Sequence, residues 1–285
     1  MTDPAVLVLA HHLADRAGAI AQHHLAAGCL TVRAKGDGSP VTDVDREIEQ
    51  TLWSQIRQHY SNDAFLGEES DAFGTAHRRW IIDGIDGTAS LIAGEPEWST
   101  LIAVEEDGDI TLGMVSAPAL GRRWWAVPGT GSWEGSYSSQ SPTPPHRLSI
   151  ADGGDVHDAT LGIWPPSTRM SESQRTIAAT LAEHVAHTRP SREWSTVGPT
   201  TPPARKPSAG SGTCHGGLLV ATGQLDAFLL MGAGPWDIAA LVPIVQEAGG
   251  VFSDLSGQQR IDTGVALFAR SGLHQQLLDI VASAC

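Results

Sequence analysis

The stretch Trp80-Ile-Ile-Asp-Gly-Ile-Asp-Gly-Thr88 indicates both the fold and the chemistry of this chain. Its apolar run leads directly into Asp83 and Asp86, so a buried strand is expected to end in two carboxylates. Burying a carboxylate is unfavourable unless a positive charge neutralises it, and hard divalent cations bind carboxylate and carbonyl oxygens. Gly87 and Thr88 then provide a tight turn at the start of a helix, where N–H groups can bind phosphate. The stretch therefore predicts metal-assisted chemistry on a phosphate group.

Two further acidic segments fit the same chemistry. Glu68 and Glu69 follow a short apolar stretch in Leu66-Gly-Glu-Glu-Ser70. Asp237 stands at the head of an apolar helix in Gly234-Pro-Trp-Asp-Ile-Ala-Ala240. A set of ligands made only of oxygen atoms is typical of Mg²⁺ or Mn²⁺.

These three motifs, followed by Glu247-Ala-Gly-Gly250, resemble those of the inositol monophosphatase family and occur in the same order. The family belongs to a superfamily of Mg²⁺-dependent, lithium-sensitive phosphatases, and the resemblance covers residues from about 35 to 254. Val115–Ala126 and Leu241–Gly250 are also similar to stretches of actinobacterial histidinol-phosphatases. The resemblance implies an α+β or α/β fold, the layered αβαβα sandwich of the family. It also implies a homodimer.

The resemblance assigns metal ligands residue by residue. It implies that two to three Mg²⁺ ions, for which Mn²⁺ may substitute, are held by Glu68, Asp83, the Ile85 carbonyl, Asp86 and Asp237. Asp45 matches a third, weaker metal position of the family. An acid in the first turn of a helix is also explained by the helix dipole alone. Asp237 has an alternative explanation too, as a helix cap.

The same resemblance implies the catalytic and substrate-binding roles. Thr88 is expected to orient the attacking water, with Glu68 or Glu69 assisting as a base. The N–H groups of Gly87 and Thr88 are expected to hold the phosphate oxygens. Further substrate contacts are expected at Asp86, Asp237 and Leu230.

The chain departs from the family at three places, and one of them concerns the substrate. The family commonly has proline where this chain has Gly84, and an Asn-aromatic pair where it has Ser90-Leu91. Inositol and histidinol phosphatases carry a glutamate seven residues before the aspartate that aligns with Asp237, and here that position is Leu230. Leucine cannot pair with an ammonium or accept from a hydroxyl, so the leaving group is left open. The candidates are histidinol phosphate, an inositol phosphate, and a nucleotide or amino-sugar monophosphate of specialised metabolism.

Bulk composition excludes some classes of function. The chain has 285 residues, is 41% hydrophobic and carries a net charge of −14. Such a charge argues against nucleic-acid binding, which needs a basic face, and favours a small-molecule phosphate ester as the partner. Three cysteines lack metal-ligand spacing and suit a reducing compartment. No signal peptide or membrane span is expected, so the cytoplasm is predicted. A catalytically inactive homologue that binds phosphate is the competing hypothesis.

Periodicity and turn residues predict two halves. The N-terminal half, 1–145, is predicted to carry most metal ligands, and the C-terminal half, 146–285, to carry Asp237 and the substrate pocket. Ser132–His146, rich in serine, proline and glycine, is predicted to separate them. Helices are predicted at about 4–27, 42–56, 171–187, 216–222 and 238–248. The first is predicted to bury Val6, Leu9, Leu13, Ala17 and Ile20 and to end at Gly28, and the second to bury Ile48, Leu52 and Ile56. Strands are predicted at about 64–67, 79–83, 100–105, 110–116, 123–127 and 227–231, and those from 100 to 127 are predicted to form an antiparallel meander with a hairpin turn at Asp107-Gly108.

The remaining segments are predicted to lie at the surface. Lys35–Pro40 is predicted to be a flexible turn, Arg189–Ser211 a polar, proline-rich stretch, and His11 a surface residue on its helix.

Overall fold

The structure is a computed structural model that describes residues 3–36, 39–70, 72–137, 144–189 and 213–284. Its residues form two compact units. The first comprises Met1–Arg147 with Ala239–Ile244, and the second comprises Leu148–Ile238 with Val245–Cys285. The domains 1–145 and 146–285 stay a prediction.

The first unit contains helices α1 to α3 and strands β1 to β9. The helices are α1 (Pro4–Ala27), α2 (Asp43–His59) and α3 (Thr88–Ile92). The strands are β1 (Val32–Ala34), β2 (Pro40–Thr42), β3 (Ala64–Gly67), β4 (Arg78–Asp86), β5 (Ser99–Glu106), β6 (Asp109–Ala117), β7 (Arg122–Val127), β8 (Gly131–Ser136) and β9 (His146–Arg147). A short 3-10 helix, Pro118–Leu120, joins β6 to β7.

The second unit contains the remaining strands and most of the remaining helices. The strands are β10 (Thr160–Trp164), β11 (His187–Arg189), β12 (Ala227–Met231), β13 (Gly250–Ser253) and β14 (Val265–Arg270). The helices are α4 (Glu172–His184), α5 (Thr213–Ala221), α6 (Pro235–Ile238) and α8 (Ser271–Ala284), while α7 (Leu241–Glu247) belongs in part to each unit. Across the described ranges, no helix is both long and apolar enough to cross a bilayer.

A seven-stranded mixed sheet organises the first unit. Its order follows the chain from β3 to β9, and β1 pairs with β2 separately. β3 and β4 are parallel, whereas each later neighbour is antiparallel. The predicted meander is confirmed, with its turn at Asp107 and Gly108, which both have positive φ. Parallel pairing of β3 with β4 places the carboxyl ends of both strands, and hence both acidic motifs, at one edge of the sheet.

Two helices close the core of the first unit. The predicted stripe of α1 is buried, and Gly28 ends the helix in the left-handed conformation. In α2, Ile48, Leu52 and Ile56 are fully buried, as predicted. These side chains join Trp80, Ile82 and other apolar residues of the sheet in one cluster. Because α2 packs on β4, its first turns lie beside the acidic end of that strand.

A five-stranded mixed sheet organises the second unit, in the order β11-β10-β12-β14-β13. β10 is parallel to its neighbours β11 and β12, and β14 is antiparallel to its neighbours β12 and β13. The core lies against α4 and α8 and includes Leu161, Leu229 and Leu267. Sheets layered with helices in both units confirm an α+β fold.

Four sequence predictions need correction in their details. The segment predicted to separate the halves contains β8 and β9, because its small residues alternate in a strand paired with β7. The helix predicted at 238–248 is divided into α6 and α7 by a turn at Ala239-Ala240. The helix predicted at 171–187 ends at His184, and that predicted at 216–222 already begins at Thr213. The polar segment predicted from Arg189 to Ser211 lies, beyond Arg189 itself, outside the described residues.

A buried arginine joins α1 to β7. The Arg123 guanidinium donates to Asp15 at 2.6 Å, to Ser116 Oγ at 3.1 Å and to His11 Nδ1 at 3.2 Å. Because an arginine can only donate, His11 accepts the bond from Arg123, and it must be neutral to do so. With this partly buried contact, His11 is not the surface residue that the sequence suggested. Burial, followed by the charge of Arg123, lowers the pKa of His11 to about 4.

Neutral His11 should make the first unit sensitive to acid. Below pH 6.5 the unfolded chain protonates His11, whereas the folded chain keeps it neutral until about pH 4, so the free energy of unfolding falls as pH decreases through this window. His11→Gln retains an acceptor and does not titrate. We expect the decrease between pH 6.5 and 4, measured by urea unfolding, to be smaller in this variant by about 2 kcal/mol. Identical pH profiles for the two proteins would contradict the assignment.

Candidate active site

A β-bulge at the end of β4 brings two aspartates together. Residues three positions apart in a regular strand point to opposite faces. Asp83 pairs with Leu101 and Asp86 with Ser99, so β4 advances three positions while β5 advances two. This extra residue forms the bulge. One carboxylate oxygen of Asp83 consequently lies within 4.8 Å of one of Asp86.

Local hydrogen bonds hold the bulge in shape. Asp83 Oδ1 accepts the N–H of Ile85 at 2.9 Å. The Ile85 carbonyl accepts the hydroxyl of Thr88 at 3.1 Å, and the side chain of Ile85 is buried in the first core. The carbonyl of Gly84 accepts the hydroxyl of Thr100 at 3.0 Å. These bonds fix the backbone of the bulge and the orientation of the Asp83 carboxylate.

Gly87 turns the chain from the bulge into α3. It caps this helix in the left-handed conformation, with φ of 85°. A Cβ atom built there would lie 2.6 Å from the carbonyl oxygen of Glu97, so no other residue fits without a shift of the backbone. The first N–H groups of α3 therefore begin directly beside Asp86, as the sequence predicted.

Asp45 connects the first turn of α2 to Thr88. Its Oδ2 accepts the N–H of Thr42 at 3.0 Å and the Thr42 hydroxyl at 2.5 Å. Its Oδ1 accepts the hydroxyl of Thr88 at 3.0 Å. Burial raises the pKa of Asp45 above its ordinary value, although the bonds from both threonines oppose the rise. The sequence identified both residues but did not indicate that they are paired.

Glu68 and Glu69 follow β3 and share one cation. The Lys35 ammonium lies 2.5 Å from Glu68 Oε1 and also contacts Glu69 Oε1. Burial raises the pKa of Glu68, the Lys35 ammonium opposes the rise, and the charges of Glu69 and Asp86 add to it. Burial lowers the pKa of Lys35, but its bonds to both glutamates raise it above its usual value overall. Lys35 was missed because the sequence indicated only a flexible turn there.

Glu49, on the second turn of α2, is a further acid that the sequence did not single out. Its Oε1 accepts the N–H groups of both Glu68 and Glu69, each at 3.0 Å. Burial raises the pKa of Glu49 to about 7, and the charges of the two glutamates contribute to the rise. Glu49 lies on the buried side of α2, between Asp45 and Leu52. That position was the only feature of the sequence that could have marked it as part of the site.

The chemistry of these groups fits a divalent metal. Asp83 and Asp86 are only 2% and 3% exposed, and like charges this close are unfavourable without a cation. Glu68 lies near enough for the charge of Asp86 to raise its pKa. The ligands available in the first unit are carboxylate and carbonyl oxygens, which hard cations prefer. The first unit thus offers residues that could hold a metal ion.

Asp237 and Leu230 belong to the second unit. Asp237 is the third residue of α6, and its Oδ2 accepts the N–H of Gly234 at 2.7 Å. It therefore stabilises the start of the helix from the third helical position, and not from the N-cap position that the sequence offered as an alternative. Leu230 is fully buried in β12, between Trp164 of β10 and Ala266 of β14. It points to the face opposite the core residue Leu229.

Cys214 and His215 are neighbours at the start of α5. The Cys214 thiol is buried and lies 3.5 Å from His215 Nδ1. The sequence around His215 lacks the elements of a phosphocysteine loop, so it does not indicate that Cys214 is a nucleophile.

Comparison with known proteins identifies the family. The model of the inositol monophosphatase family matches residues 4–284. The chain is 34% identical to the histidinol-phosphatase of Mycobacterium tuberculosis over 273 residues, 95% of this chain and 96% of that protein. It is also 34% identical to the histidinol-phosphatase of Streptomyces coelicolor over 276 residues, 95% of each.

Solved structures agree with this assignment. An inositol monophosphatase from Zymomonas mobilis has a TM-score of 0.76 and 27% identity, covering 98% of each chain. This likeness confirms the layered α+β sandwich that the motifs implied. Phosphatases of the family act on small phosphate esters. The protein therefore belongs to the inositol monophosphatase family and is a metal-dependent phosphatase, a phosphoric monoester hydrolase.

Proposed function

We propose that the protein hydrolyses the phosphate monoester of a small metabolite with Mg²⁺ as its cofactor. The observation that supports this most directly is the bulge of β4, which holds Asp83 and Asp86 together next to the Thr88–Asp45 hydrogen bond. We propose two to three ions, with Mn²⁺ able to substitute, and the ligands Glu68, Asp83, the Ile85 carbonyl, Asp86 and Asp237. When bound, the ions neutralise the phosphate dianion and lower the pKa of a bound water.

Thr88 is proposed to orient the attacking water. Because its hydroxyl proton is directed to Asp45 or to the Ile85 carbonyl, its lone pairs are left to accept a proton of that water. Asp45 accepts this hydroxyl through Oδ1, while Thr42 holds its Oδ2 in place. The hydrogen bond between Asp45 and Thr88 supports this positioning role. The family resemblance supports a third metal ion at Asp45.

The remaining groups are proposed to assist the transfer. Glu68 or Glu69 takes up the proton of the water, since both lie beside the acidic end of β4. The N–H groups of Gly87 and Thr88 hold the phosphate oxygens at the start of α3. Asp86 and Asp237 are proposed to lie next to the bound ester.

The substrate is proposed to be histidinol phosphate or a related ester with an altered leaving group. Support for the first comes from the histidinol-phosphatases of M. tuberculosis and S. coelicolor. Support for an altered leaving group comes from Leu230, which replaces the glutamate that pairs with a substrate amine or hydroxyl in the family. A leaving group with an apolar or aromatic face, such as a nucleoside, fits an apolar side chain better, and an inositol phosphate fits it worse.

Restoring an acid at position 230 tests this proposal. A site built to pair a polar substrate group discriminates by about 10⁴-fold when the pair is made. We therefore expect Leu230→Glu to raise kcat/KM for histidinol phosphate or myo-inositol 1-phosphate relative to a nucleoside monophosphate. The measurement is phosphate release from a panel of esters, including a generic aryl phosphate, by both proteins.

Two controls make the comparison decisive. Leu230→Gln supplies an acceptor without a charge, and the melting temperature of each variant shows whether the buried position tolerates the change. An unchanged ratio of kcat/KM values in folded Leu230→Glu would remove Leu230 from the substrate pocket. Failure of the wild-type protein to release phosphate from any ester would favour a catalytically inactive homologue instead.

We further propose that the protein is a cytoplasmic homodimer, by analogy with its family. Light scattering at micromolar concentration tests the assembly. A mass near that of one 30.0 kDa chain would contradict the dimer.

A further inference from the structure

A single buried carboxylate supports the turn that carries two proposed catalytic acids. Glu49 is 0% exposed. Its Oε1 accepts two successive backbone N–H groups, those of Glu68 and Glu69, at 3.0 Å each. Successive N–H groups that converge on one anion form a concave anion site. Here the anion is the side chain of a helical residue nineteen positions earlier in the sequence, so a side chain of α2 holds the turn.

Two glycines make room for Glu49. A Cβ atom at Gly67 would lie 2.3 Å from Glu49 Oε2. A Cβ atom at Gly84 would lie 2.9 Å from the Asp45 carbonyl oxygen and 3.4 Å from Glu49 Cγ. A side chain at Gly84 would require a displacement of the α2 backbone, whereas a side chain at Gly67 would displace the Glu49 carboxylate. Gly67 precedes the glutamate pair and Gly84 lies within the aspartate bulge, so Glu49 packs against both acidic motifs at once.

We propose that Glu49 is a positioning residue that fixes the Glu68–Glu69 turn and thereby sets the affinity of the site for its metal. The inference rests on the proposed metal role of Glu68, and it adds a residue that touches neither metal nor substrate. If Glu49 no longer provides an acceptor, two half-buried N–H groups lose their partner, and the turn rearranges to reach another one. Glu68 then no longer meets the geometry set by Asp83 and Asp86.

Two substitutions of Glu49 distinguish the loss of its hydrogen-bond acceptor from the loss of its side-chain volume. Glu49→Gln keeps a carbonyl oxygen at the same position, while Glu49→Met keeps the volume and removes the acceptor. Leu52→Ala, one turn further along α2 and equally buried, is the control for a general loss of stability. Glu47→Gln is the control for the charge, since Glu47 is on the exposed side of the same helix.

Two measurements are made on each full-length protein. Hydrogen exchange of the Glu68 and Glu69 amides is followed without metal, and the Kd for Mg²⁺ is measured by calorimetry. In Glu49→Met we expect both amides to lose protection and the Kd to rise about 10- to 100-fold, the usual effect of losing a group that orients a metal ligand. Glu49→Gln should stay within about 3-fold of the wild type by the same reasoning. Leu52→Ala should lower the melting temperature without a comparable change in Kd.

The results that would contradict the role of Glu49 differ from those that would contradict the proposed phosphatase function. Unchanged amide protection in Glu49→Met overturns it, and so does an equal rise of Kd in Leu52→Ala. If the wild-type protein does not bind Mg²⁺, the proposed cofactor is wrong, and the exchange measurement still decides whether Glu49 holds the turn. Should Glu49→Met not fold, Gly67→Ala displaces the same carboxylate by direct contact and is expected to give the same losses.

Discussion

Replacing Asp86 by asparagine should remove nearly all phosphatase activity while the protein stays folded. The change preserves the shape of a buried side chain and removes one negative charge from a pair of carboxylates within 4.8 Å of each other. It therefore weakens the site for a cation and relieves repulsion within the folded protein at the same time. The loss of metal assistance amounts to several kcal/mol of transition-state stabilisation, or about 10³-fold in kcat.

The measurement is kcat for an aryl phosphate under saturating Mg²⁺, together with the melting temperature. Asp109→Asn is the matched control, because Asp109 is an exposed aspartate at the start of β6 in the same unit. It should behave as the wild type in both measurements. A kcat for Asp86→Asn close to that of the wild type would refute the assignment of Asp86 to the metal.

Removing the metal should have an equally large effect. Chelation of the wild-type protein is expected to reduce phosphate release to the background rate. Among the described residues of the first unit, Lys35 is the only positive side chain that forms an ion pair with Glu68 or Glu69. Lys35 cannot supply an activated water. Addition of Mg²⁺, and of Mn²⁺ to a similar degree, should restore the rate because both cations accept the same oxygen ligands.

Circular dichroism before and after chelation provides the control. The hydrophobic core of the first unit is formed by apolar side chains of α1, α2 and the sheet, and none of the carboxylates proposed as metal ligands belongs to it, so the spectrum should not change. Full activity in excess chelator would rule out metal-assisted hydrolysis. Loss of structure on chelation would instead show that the ions contribute to folding.

The elements that the sequence predicted well are those with a strong local pattern. The apolar stripes of α1 and α2 recur with helical spacing, and Gly28 ends the first helix as expected. The meander of β5 to β7 alternates in a regular way around Asp107-Gly108. In contrast, β8 was mistaken for part of a connecting segment, because its glycines and serines give no apolar alternation. Its strand conformation depends on pairing with β7.

The chemistry of the site was also readable from the sequence in part. Two aspartates at the end of an apolar strand, followed by Gly87-Thr88, indicated a metal and a phosphate without reference to any other segment. The family followed from the order of the motifs, and Leu230 marked the change that leaves the substrate open. Each of these inferences depends on residues that are close together in the chain or on their order.

Only the tertiary structure decided how these residues act on one another. The bulge that brings Asp83 and Asp86 together depends on the register of β4 against β5. The hydrogen bond between Asp45 and Thr88 joins residues 43 positions apart, and Glu49 reaches the turn of Glu68 and Glu69 from a different element. Sequence patterns report the preferences of neighbouring residues, whereas these contacts arise from the packing of α2 on the sheet. The residue types of the site were therefore set by the sequence, and their partners were set by the fold.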